Sequence, residues 1–335
     1  MKTALFDYNL PESFIAQKPA EPRDSAKLMV LNRNKKTVKH KIFLNIVDYL
    51  KPGDCLVVNQ TKVIPARLKG QKADTGAKIE LLLLRKRDSA WEALAKGARK
   101  LKQGSEIEFK NFKVTVTDKR EGGLVRIVSN EKIEDLMRLA GDLPLPPYIK
   151  NYKGPPERYQ TVYAKEKGSV AAPTAGLHFT EGLLRAIKEK GVNIASVNLH
   201  VSWDTFMPVR ENEIENHKIH NEHFSVGDQA VEAINKAKAS GKKVVAVGTT
   251  VVRTLESASE NNTVKPAVGE TSLYIYPGHS FKIVDAVITN FHLPKSTLLM
   301  LVSAFAGREF LLEAYGEAKK NNYRFFSFGD AMLII

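Results

Sequence analysis

The chain has 335 residues, 43% hydrophobic and 26% charged, so it is long enough to form one large domain or two ordinary domains with a sizeable core. Its 51 Lys and Arg residues against 37 Asp and Glu give a formal net charge of +14. This excess indicates a nucleic-acid partner, with a merely lysine-rich soluble protein as the alternative.

Two features of the sequence bear on its compartment. The single cysteine, Cys55, excludes an intramolecular disulfide framework, a cysteine zinc site and a three-cysteine iron–sulfur cluster, and it fits a reducing environment. Acidic residues as early as Asp7 are not typical of a signal peptide, and the longest apolar run, near residues 298–306, is too short to span a bilayer. We therefore expect a cytoplasmic protein that does not bind a membrane.

The first predicted elements are a helix and a buried strand. The segment from Lys36 predicts a helix, since Ile42, Ile46 and Tyr49 share helical spacing, and the sequence KPGD at 51–54 ends this helix. The apolar run CLVVN at 55–59 is typical of a short buried strand. A lone helix and strand cannot bury their apolar faces, so we expect them to join a sheet formed by later parts of the chain.

Residues 62–149 have a different pattern. Short runs separated by Gly, Asp, Asn and Ser predict a small antiparallel barrel or sandwich. Residues 62–150 contain 20 Lys and Arg against 12 Asp and Glu, a difference of +8, which is more than half of the excess of the chain. The proline-rich segment GDLPLPPYIK at 141–150 indicates an exit linker.

Beyond this linker, strand and helix patterns alternate. Thr180, Asp228 and Ser296 are predicted helix caps. Repeated βα units predict an α/β fold with a mostly parallel, barrel-like sheet. We expect 1–61 and 150–335 to form this discontinuous catalytic domain, with 62–149 inserted as a basic antiparallel β-barrel. The alternative is two sequential domains divided near residue 150. The predicted elements are helices at 181–190, 229–240, 251–259 and 297–307 and strands at 192–203, 242–248 and 285–292.

Several polar residues fall where a ligand could bind. Neither a dinucleotide fingerprint nor a P-loop is present. The GTT sequence at 248–250 could hold an anion or a ribose at a helix N-terminus, although it also fits a plain helix start. His200 and His292 close predicted strands, where ligands of open α/β sheets gather. Taken singly, each of these histidines and His178 in AAPTAGLHFT fits a structural role better, but together they indicate a shared site.

A histidine cluster and a polar loop leave alternatives open. His217, His220 and Glu222 have a spacing that could hold zinc, as in a metal hydrolase. A pH-sensitive turn or a substrate-recognition patch fits this cluster better. NQTKVIPARL at 59–68 supplies amide, hydroxyl and basic groups just beyond a strand, or it is a polar loop entering the inserted domain.

Long sequence blocks nevertheless carry a specific resemblance. They include FDYNLPESFIAQKPAEPRDSAKLMVL, AAPTAGLHFT, VVAVGTTVVRTLES, TNFHLPKSTLLMLVSAFAG and YRFFSFGDAML, and they run nearly from end to end. The chain resembles the S-adenosylmethionine:tRNA ribosyltransferase-isomerase family of queuosine biosynthesis. The resemblance implies transfer and isomerisation of the ribosyl unit of S-adenosylmethionine onto 7-aminomethyl-7-deazaguanine at the tRNA wobble position. Epoxyqueuosine-tRNA, adenine and methionine would be the products.

The resemblance also implies partners and site residues. S-adenosylmethionine would be the ribosyl donor and the anticodon stem-loop the other substrate, without a metal or an obligate protein partner. We expect Thr249, Thr250 and Arg253 to hold the ribose or the methionine carboxylate, and Lys62 and Arg67 to face the anticodon. The candidate catalytic residues are His178, His200 and His292, followed by Glu222 and Asp330; the candidate substrate-binding residues are Thr174, Gly176, Gly248, Thr249, Thr250, Arg253, Asn290, Asn59, Lys62 and Arg67.

Two positions depart from the pattern of this family. LHVSWDTF stands where LHVGxGTF is expected, so Ser202, Trp203 and Asp204 replace a glycine-rich turn. Lys62 stands where an arginine is expected, which keeps the charge but loses bidentate geometry. A paralogue with another substrate and a non-enzymatic RNA-binding protein therefore stay as alternatives.

Overall fold

The computed structural model describes residues 1–150 and 152–335, except that the side chains of Asp204 and Phe206 lie outside the described part. The chain divides into two compact units. One consists of Met1–Lys62, Pro146–Glu166 and Ala172–Ile335, and the other of Val63–Leu145 and Lys167–Ala171.

The secondary structure is mixed along the whole described chain. The strands are β1 Lys27–Asn32, β2 Thr37–Ile42, β3 Cys55–Asn59, β4 Thr61–Val63, β5 Arg67–Lys72, β6 Lys78–Arg87, β7 Ala90–Lys96, β8 Glu106–Phe109, β9 Phe112–Lys119, β10 Leu124–Val128, β11 Gly141–Asp142, β12 Glu166–Ser169, β13 Asn193–Leu199, β14 Glu222–Val226, β15 Val244–Val247, β16 Ser259–Glu260, β17 Thr263–Val264, β18 Ala267–Thr271, β19 Ala286–Asn290 and β20 Ala331–Ile334. The α-helices are α1 Ile133–Ala140, α2 Glu181–Glu189, α3 Asp228–Ala239, α4 Thr249–Ser257, α5 Thr297–Ala306 and α6 Arg308–Lys320.

The large unit is built on a nine-stranded sheet in the order β18-β14-β13-β3-β15-β19-β20-β1-β2. The central strands β13, β3, β15 and β19 are parallel, as are β20 and β1, and the other four pairings are antiparallel. The predicted α/β class is confirmed. The sheet is mixed rather than mostly parallel, because β2, β14, β18 and β20 each form an antiparallel pairing with a neighbour. The sequence did not predict these strands, which lie outside the central βα units.

The core of this unit lies against the central strands. Every residue of β3, β15 and β19 is buried, as expected for strands covered on both faces. Phe43 and Ile46 from a 3₁₀ helix and Leu183 and Ile187 from α2 pack in one hydrophobic cluster with residues of these strands.

The helix caps show where local sequence rules apply. Thr180 and Ser296 accept hydrogen bonds from backbone N–H groups of α2 and α5, as predicted. The prediction for Asp228 is wrong: Gly227 precedes the helix, and Asp228 is its first residue. The carboxylate of Asp228 still lies in the first turn, where the helix dipole favours a negative charge.

The inserted unit is a closed six-stranded antiparallel barrel. Its strands follow the order β5-β6-β7-β10-β9-β8, and a further pairing of β5 with β8 closes the ring. Gly70 permits this closure, because a Cβ atom there would lie 2.5 Å from the Glu108 carbonyl oxygen and 2.6 Å from the Phe109 ring. Alternating burial along β6 and β9 places apolar side chains inside the barrel.

A short segment departs from the predicted domain bounds. Lys167–Ala171 groups with the barrel rather than with the α/β unit. The physical reason is backbone pairing, since the Ile64 N–H donates to the Ser169 carbonyl oxygen over 2.9 Å. Within the described residues, every helix is too short or too polar to cross a bilayer.

Candidate active site

The candidate site lies where the parallel strands of the α/β unit end. Asn59 ends β3, Leu199 ends β13 and Asn290 ends β19, while Gly248 follows β15. The carboxyl edge of an open α/β sheet is the usual ligand site. A cavity of about 20 Å³ at this edge is lined by predicted residues, namely Thr174, Gly248, Thr249, Thr250, Asn290 and His292.

Asn290 is the centre of a buried hydrogen-bonded group. Its Nδ2 donates to His178 Nε2 over 3.3 Å, and its Oδ1 accepts from Thr174 Oγ1 over 2.9 Å. Burial lowers the pKa of His178 to about 4, with a smaller opposing effect of the Asp330 carboxylate. His178 is therefore neutral at pH 7 and accepts at Nε2, which leaves the proton on Nδ1.

The ring of His178 does not face the same cavity as Asn290. It packs against Phe43, with 5.0 Å between the ring centroids, and lines a separate space of about 10 Å³ that also touches Arg23 and Ser327. The sequence places His178 and His292 in one pocket, and the structure instead joins them through Asn290. His178 is thus placed to orient the Asn290 amide.

His292 lines two adjoining cavities and is fixed from several sides. Its Nε2 lies 2.8 Å from Thr289 Oγ1, and its backbone N–H donates to the Tyr315 hydroxyl over 2.9 Å. The Tyr8 hydroxyl donates to its backbone carbonyl oxygen. Burial lowers the pKa of His292 to about 3, so this imidazole is also neutral at pH 7.

His200 belongs to a different cluster. Its Nδ1 lies 2.8 Å from Thr61 Oγ1, and its ring stacks on His223 with centroids 5.7 Å apart. Burial, followed by the neighbouring His223, lowers its pKa. The structure thus brings His292 to the cavity at Asn290 and places His200 among other partners.

Glu222 and Arg253 form a buried ion pair. Their side chains are 3% and 7% exposed, and Arg253 Nη1 donates to Glu222 Oε2. Arg253 also donates to the Leu273 carbonyl oxygen over 3.0 Å. The guanidinium that we predicted to bind a ribose or a carboxylate is therefore engaged within the protein, and a substrate would have to displace one of these partners.

Glu222 also supports the turn that replaces the glycine-rich sequence. Its Oε1 accepts from the Ser202 N–H over 2.7 Å and from Thr205 Oγ1 over 3.1 Å. Trp203 is half-buried within this turn. The proposed acid Asp204 lies outside the described side chains.

Two other predicted residues are engaged in the framework. Asp330 is 2% exposed and accepts from the Lys27 and Arg324 N–H groups as well as from the Arg324 guanidinium. Asn59 is fully buried, donates to the Leu199 carbonyl oxygen and lies 3.3 Å from Thr250 Oγ1. Both side chains hold strands and helix ends together, and the Asp330 carboxylate opposes the lowering of the His178 pKa by burial.

Glycine is required at two positions for different reasons. Gly248 has a φ of +92° where β15 turns into α4, a conformation that disfavours other residues. At Gly176, a Cβ atom would lie 2.0 Å from the Tyr163 hydroxyl, so this glycine allows close packing rather than ligand approach.

The remaining predicted residues do not form part of this cavity. Lys62 is exposed. Arg67 belongs to the barrel unit, donates to the Leu145 carbonyl oxygen over 3.0 Å and lies 3.8 Å from Glu80. In the cluster considered for zinc, His217 pairs with Glu211 over 2.9 Å, and among the described residues no group of three or more His, Cys, Asp or Glu could hold a metal ion.

Sequence reasoning missed an aromatic wall of the site. Tyr148, Phe326 and Ser327 line a space of about 10 Å³ together with Thr174 and His292. Phe326 has a φ of +70°, which is strained for a bulky residue, and such strain often accompanies functional sites. The aromatic run in YRFFSFGDAML is the signal that could have indicated it.

Comparisons with known proteins identify the family. The family model described as queuosine biosynthesis protein matches residues 3–334. Proteins named S-adenosylmethionine:tRNA ribosyltransferase-isomerase from Thermosipho melanesiensis and Clostridioides difficile are 55% and 51% identical, each over 100% of both chains. A crystal structure of S-adenosylmethionine tRNA ribosyltransferase from Thermotoga maritima is 40% identical, with a TM-score of 0.59 over 99% of this chain and 100% of that one. The predicted resemblance is confirmed, and the chain belongs to the queuosine biosynthesis family of S-adenosylmethionine:tRNA ribosyltransferase-isomerases.

Proposed function

We propose that this protein transfers and isomerises the ribosyl unit of S-adenosylmethionine onto 7-aminomethyl-7-deazaguanine in the anticodon stem-loop of tRNA. The products are epoxyqueuosine-tRNA, adenine and methionine, and the reaction takes place in the cytoplasm. The observation that carries the proposal is that buried, neutral His292 and Asn290 line one cavity with Thr174 at the carboxyl ends of the parallel strands. Family membership supplies the reaction class.

The chemistry of the substrate explains why neutral polar groups suit this site. A sulfonium acidifies the adjacent 5′ carbon, so a modest base can remove a proton there. The amine of the modified base must be neutral to attack, and adenine must gain a proton or a strong hydrogen bond as it leaves. Closure of the epoxide then expels methionine as a neutral thioether. A site without fixed positive charge at the imidazoles favours the cationic donor and the neutral amine alike.

His292 is the best-placed of the predicted histidines for a proton transfer. Its Nε2 faces Thr289, and its Nδ1 has no hydrogen-bond partner among the described residues. The Thr289 hydroxyl can donate or accept, so it can hold either tautomer of the ring. Asn290 and Thr174 would then position the ribose, with His178 holding the amide from behind.

The cavity must widen before the substrate can bind. The spaces at Asn290 and His292 measure about 20 and about 10 Å³, whereas small-molecule sites usually span about 300–1,000 Å³. The Ser202–Thr205 turn borders the larger space through Thr205, and the wall formed by Tyr148 and Phe326 borders the smaller one. We propose that binding of S-adenosylmethionine separates these segments.

Adenine release tests the proposal directly. Wild-type protein is mixed with S-adenosylmethionine and tRNA carrying the precursor base, and with unmodified tRNA as the control. We expect adenine to be released only with precursor tRNA. His292→Ala should lower the rate of adenine release at least ~100-fold, as is usual when a general acid or base is removed. His40→Ala is the matched control, because His40 is exposed. Absence of release from the wild type would indicate an RNA-binding protein, and near-normal release by His292→Ala would remove this residue from catalysis.

A further inference from the structure

The barrel unit carries an open groove much larger than the cavities at the strand ends. Its volume is about 840 Å³. Residues of β5, β6 and β7 line it, among them exposed Lys69, Lys78 and Lys96 and buried Ile79. The lysines that line the groove are Lys69, Lys78, Lys96, Lys100 and Lys110.

The acidic residues of the groove face other cations. The groove contains two carboxylates, Glu80 and Glu108, so five lysines less two glutamates leave a charge of +3. Glu80 lies 3.8 Å from Arg67, and Glu108 lies 3.8 Å from Lys113, neither of which lines the groove. The carboxylates are therefore partly neutralised from outside.

Three lysines of the groove are available to a ligand. Lys69 is paired with Asp142 over 2.8 Å, and the Lys110 ammonium donates to the Leu139 carbonyl oxygen over 3.0 Å. Lys78, Lys96 and Lys100 are exposed, and none of them has a side-chain hydrogen bond or ion pair with a described residue. An unpaired ammonium in water loses little on binding an anion, because it gives up no internal partner.

We propose that this groove binds the sugar-phosphate backbone of the substrate RNA, a contact that rests on the proposed function and adds a second RNA contact to it. Lysines act as flexible point charges for phosphates, and contacts of this kind position RNA without reading its sequence. Among the described residues, no aromatic or arginine side chain lines the groove, so stacking on bases and bidentate base recognition are not its chemistry. Several exposed cations in one open groove suit a polyanion better than a single small anion.

The location of free cations differs from the sequence-based expectation. Arg67 is already bonded to the Leu145 carbonyl oxygen and lies near Glu80. The available lysines of the groove, Lys78, Lys96 and Lys100, lie within the segment that carries much of the excess charge of the chain. Part of the excess positive charge of the inserted unit is thus concentrated in this groove.

A matched pair of double variants tests the groove in the full-length protein. Lys78→Glu/Lys96→Glu reverses two charges in the groove, and Lys102→Glu/Lys132→Glu makes the same change at exposed lysines of the barrel unit outside it. Adenine release is measured against tRNA concentration at several salt concentrations. We expect the groove variant to raise KM for tRNA at least ~10-fold, with kcat and KM for S-adenosylmethionine unchanged.

Salt dependence provides the second readout. Each lost phosphate contact lowers the magnitude of the slope of log affinity against log salt by roughly 1, so we expect a smaller slope for the groove variant and an unchanged slope for the control variant. Equal KM values and slopes for the two double variants would overturn the proposal. If the wild type releases no adenine, the proposed function fails, and fluorescence anisotropy with labelled tRNA still compares the two variants.

Discussion

The strand-end site and the barrel groove use polar side chains in opposite ways. At the site, Asn290 and His292 are almost fully buried, and their hydrogen bonds go to partners within the protein. In the groove, Lys78 and Lys96 are exposed and unpaired with any described residue. Burial fixes geometry for chemistry on a small substrate, whereas exposure keeps charge available for a large polyanion.

Two Arg–Glu ion pairs show the same contrast between a buried and a partly exposed contact. Arg253 and Glu222 are 7% and 3% exposed, and they lie beneath the turn at Ser202. Arg67 and Glu80 are both 31% exposed, with 3.8 Å between nitrogen and oxygen. Water screens the exposed Arg67–Glu80 pair but not the buried Arg253–Glu222 pair. Loss of the carboxylate should therefore change the free energy of unfolding much more for the buried pair.

The largest effect is expected for Glu222→Ala. This change leaves Arg253 buried without its carboxylate, which typically costs about 3–5 kcal/mol of unfolding free energy. It also removes the acceptor for the Ser202 N–H and the Thr205 hydroxyl. Urea unfolding measures the loss, and Glu222→Gln, which retains an acceptor oxygen, should lose less. A cost below about 1 kcal/mol for Glu222→Ala would contradict the buried-pair interpretation.

Acid should destabilise the strand-end site through its histidines. The folded-state pKa of His178 is lowered to about 4, below the value near 6.5 of an unfolded histidine, so the unfolded chain binds more protons as pH falls. The stabilisation by neutral His178 is thus present above about pH 6.5 and lost as pH falls towards 4. His178→Gln removes this titration.

The pH dependence of unfolding is the measurement for this prediction. Between about pH 7 and pH 5, the unfolding free energy of His178→Gln should fall about 2 kcal/mol less than that of the wild type. His40→Gln, which removes an imidazole that contacts Tyr323 and Glu317 outside the strand-end site, controls for a general effect of histidine loss. An identical decline for wild type and His178→Gln would show that protonation of His178 is not coupled to folding.

The sequence predicted elements whose signals are local. The strand at 55–59 and the caps Thr180 and Ser296 follow from apolar runs and hydroxyl side chains at helix starts. The helix predicted from Lys36 is wrong at Thr37–Ile42, which forms an edge strand, and a 3₁₀ helix follows at Phe43–Tyr49. The sequence TVKHKI is mostly exposed and lacks the apolar pattern by which a strand is recognised.

Only part of the geometry of the candidate site could be predicted from the sequence. Thr174, Asn290 and His292 do line one cavity. Spacing along the chain could not reveal that the Asn290 amide lies between His178 and this cavity, since Asn290 and His178 are 112 positions apart in the sequence. The ion pair of Glu222 with Arg253 could not be predicted either, because the two residues are distant in sequence and only the folded sheet brings them into contact.

The smallest effect is expected for Arg67→Ala in the barrel. Its contact with Glu80 is long and partly exposed, so the ion pair itself contributes about 0–1 kcal/mol, and the hydrogen bond to the Leu145 carbonyl oxygen adds about 1 kcal/mol. Thermal unfolding measures this loss. Because Arg67 is already engaged, its removal should leave the salt dependence of KM for tRNA unchanged, unlike removal of the free charge at Lys78 or Lys96. A slope that decreases by roughly 1 in Arg67→Ala would show that the guanidinium leaves its internal partners to bind RNA, which would restore the direct role predicted from the sequence.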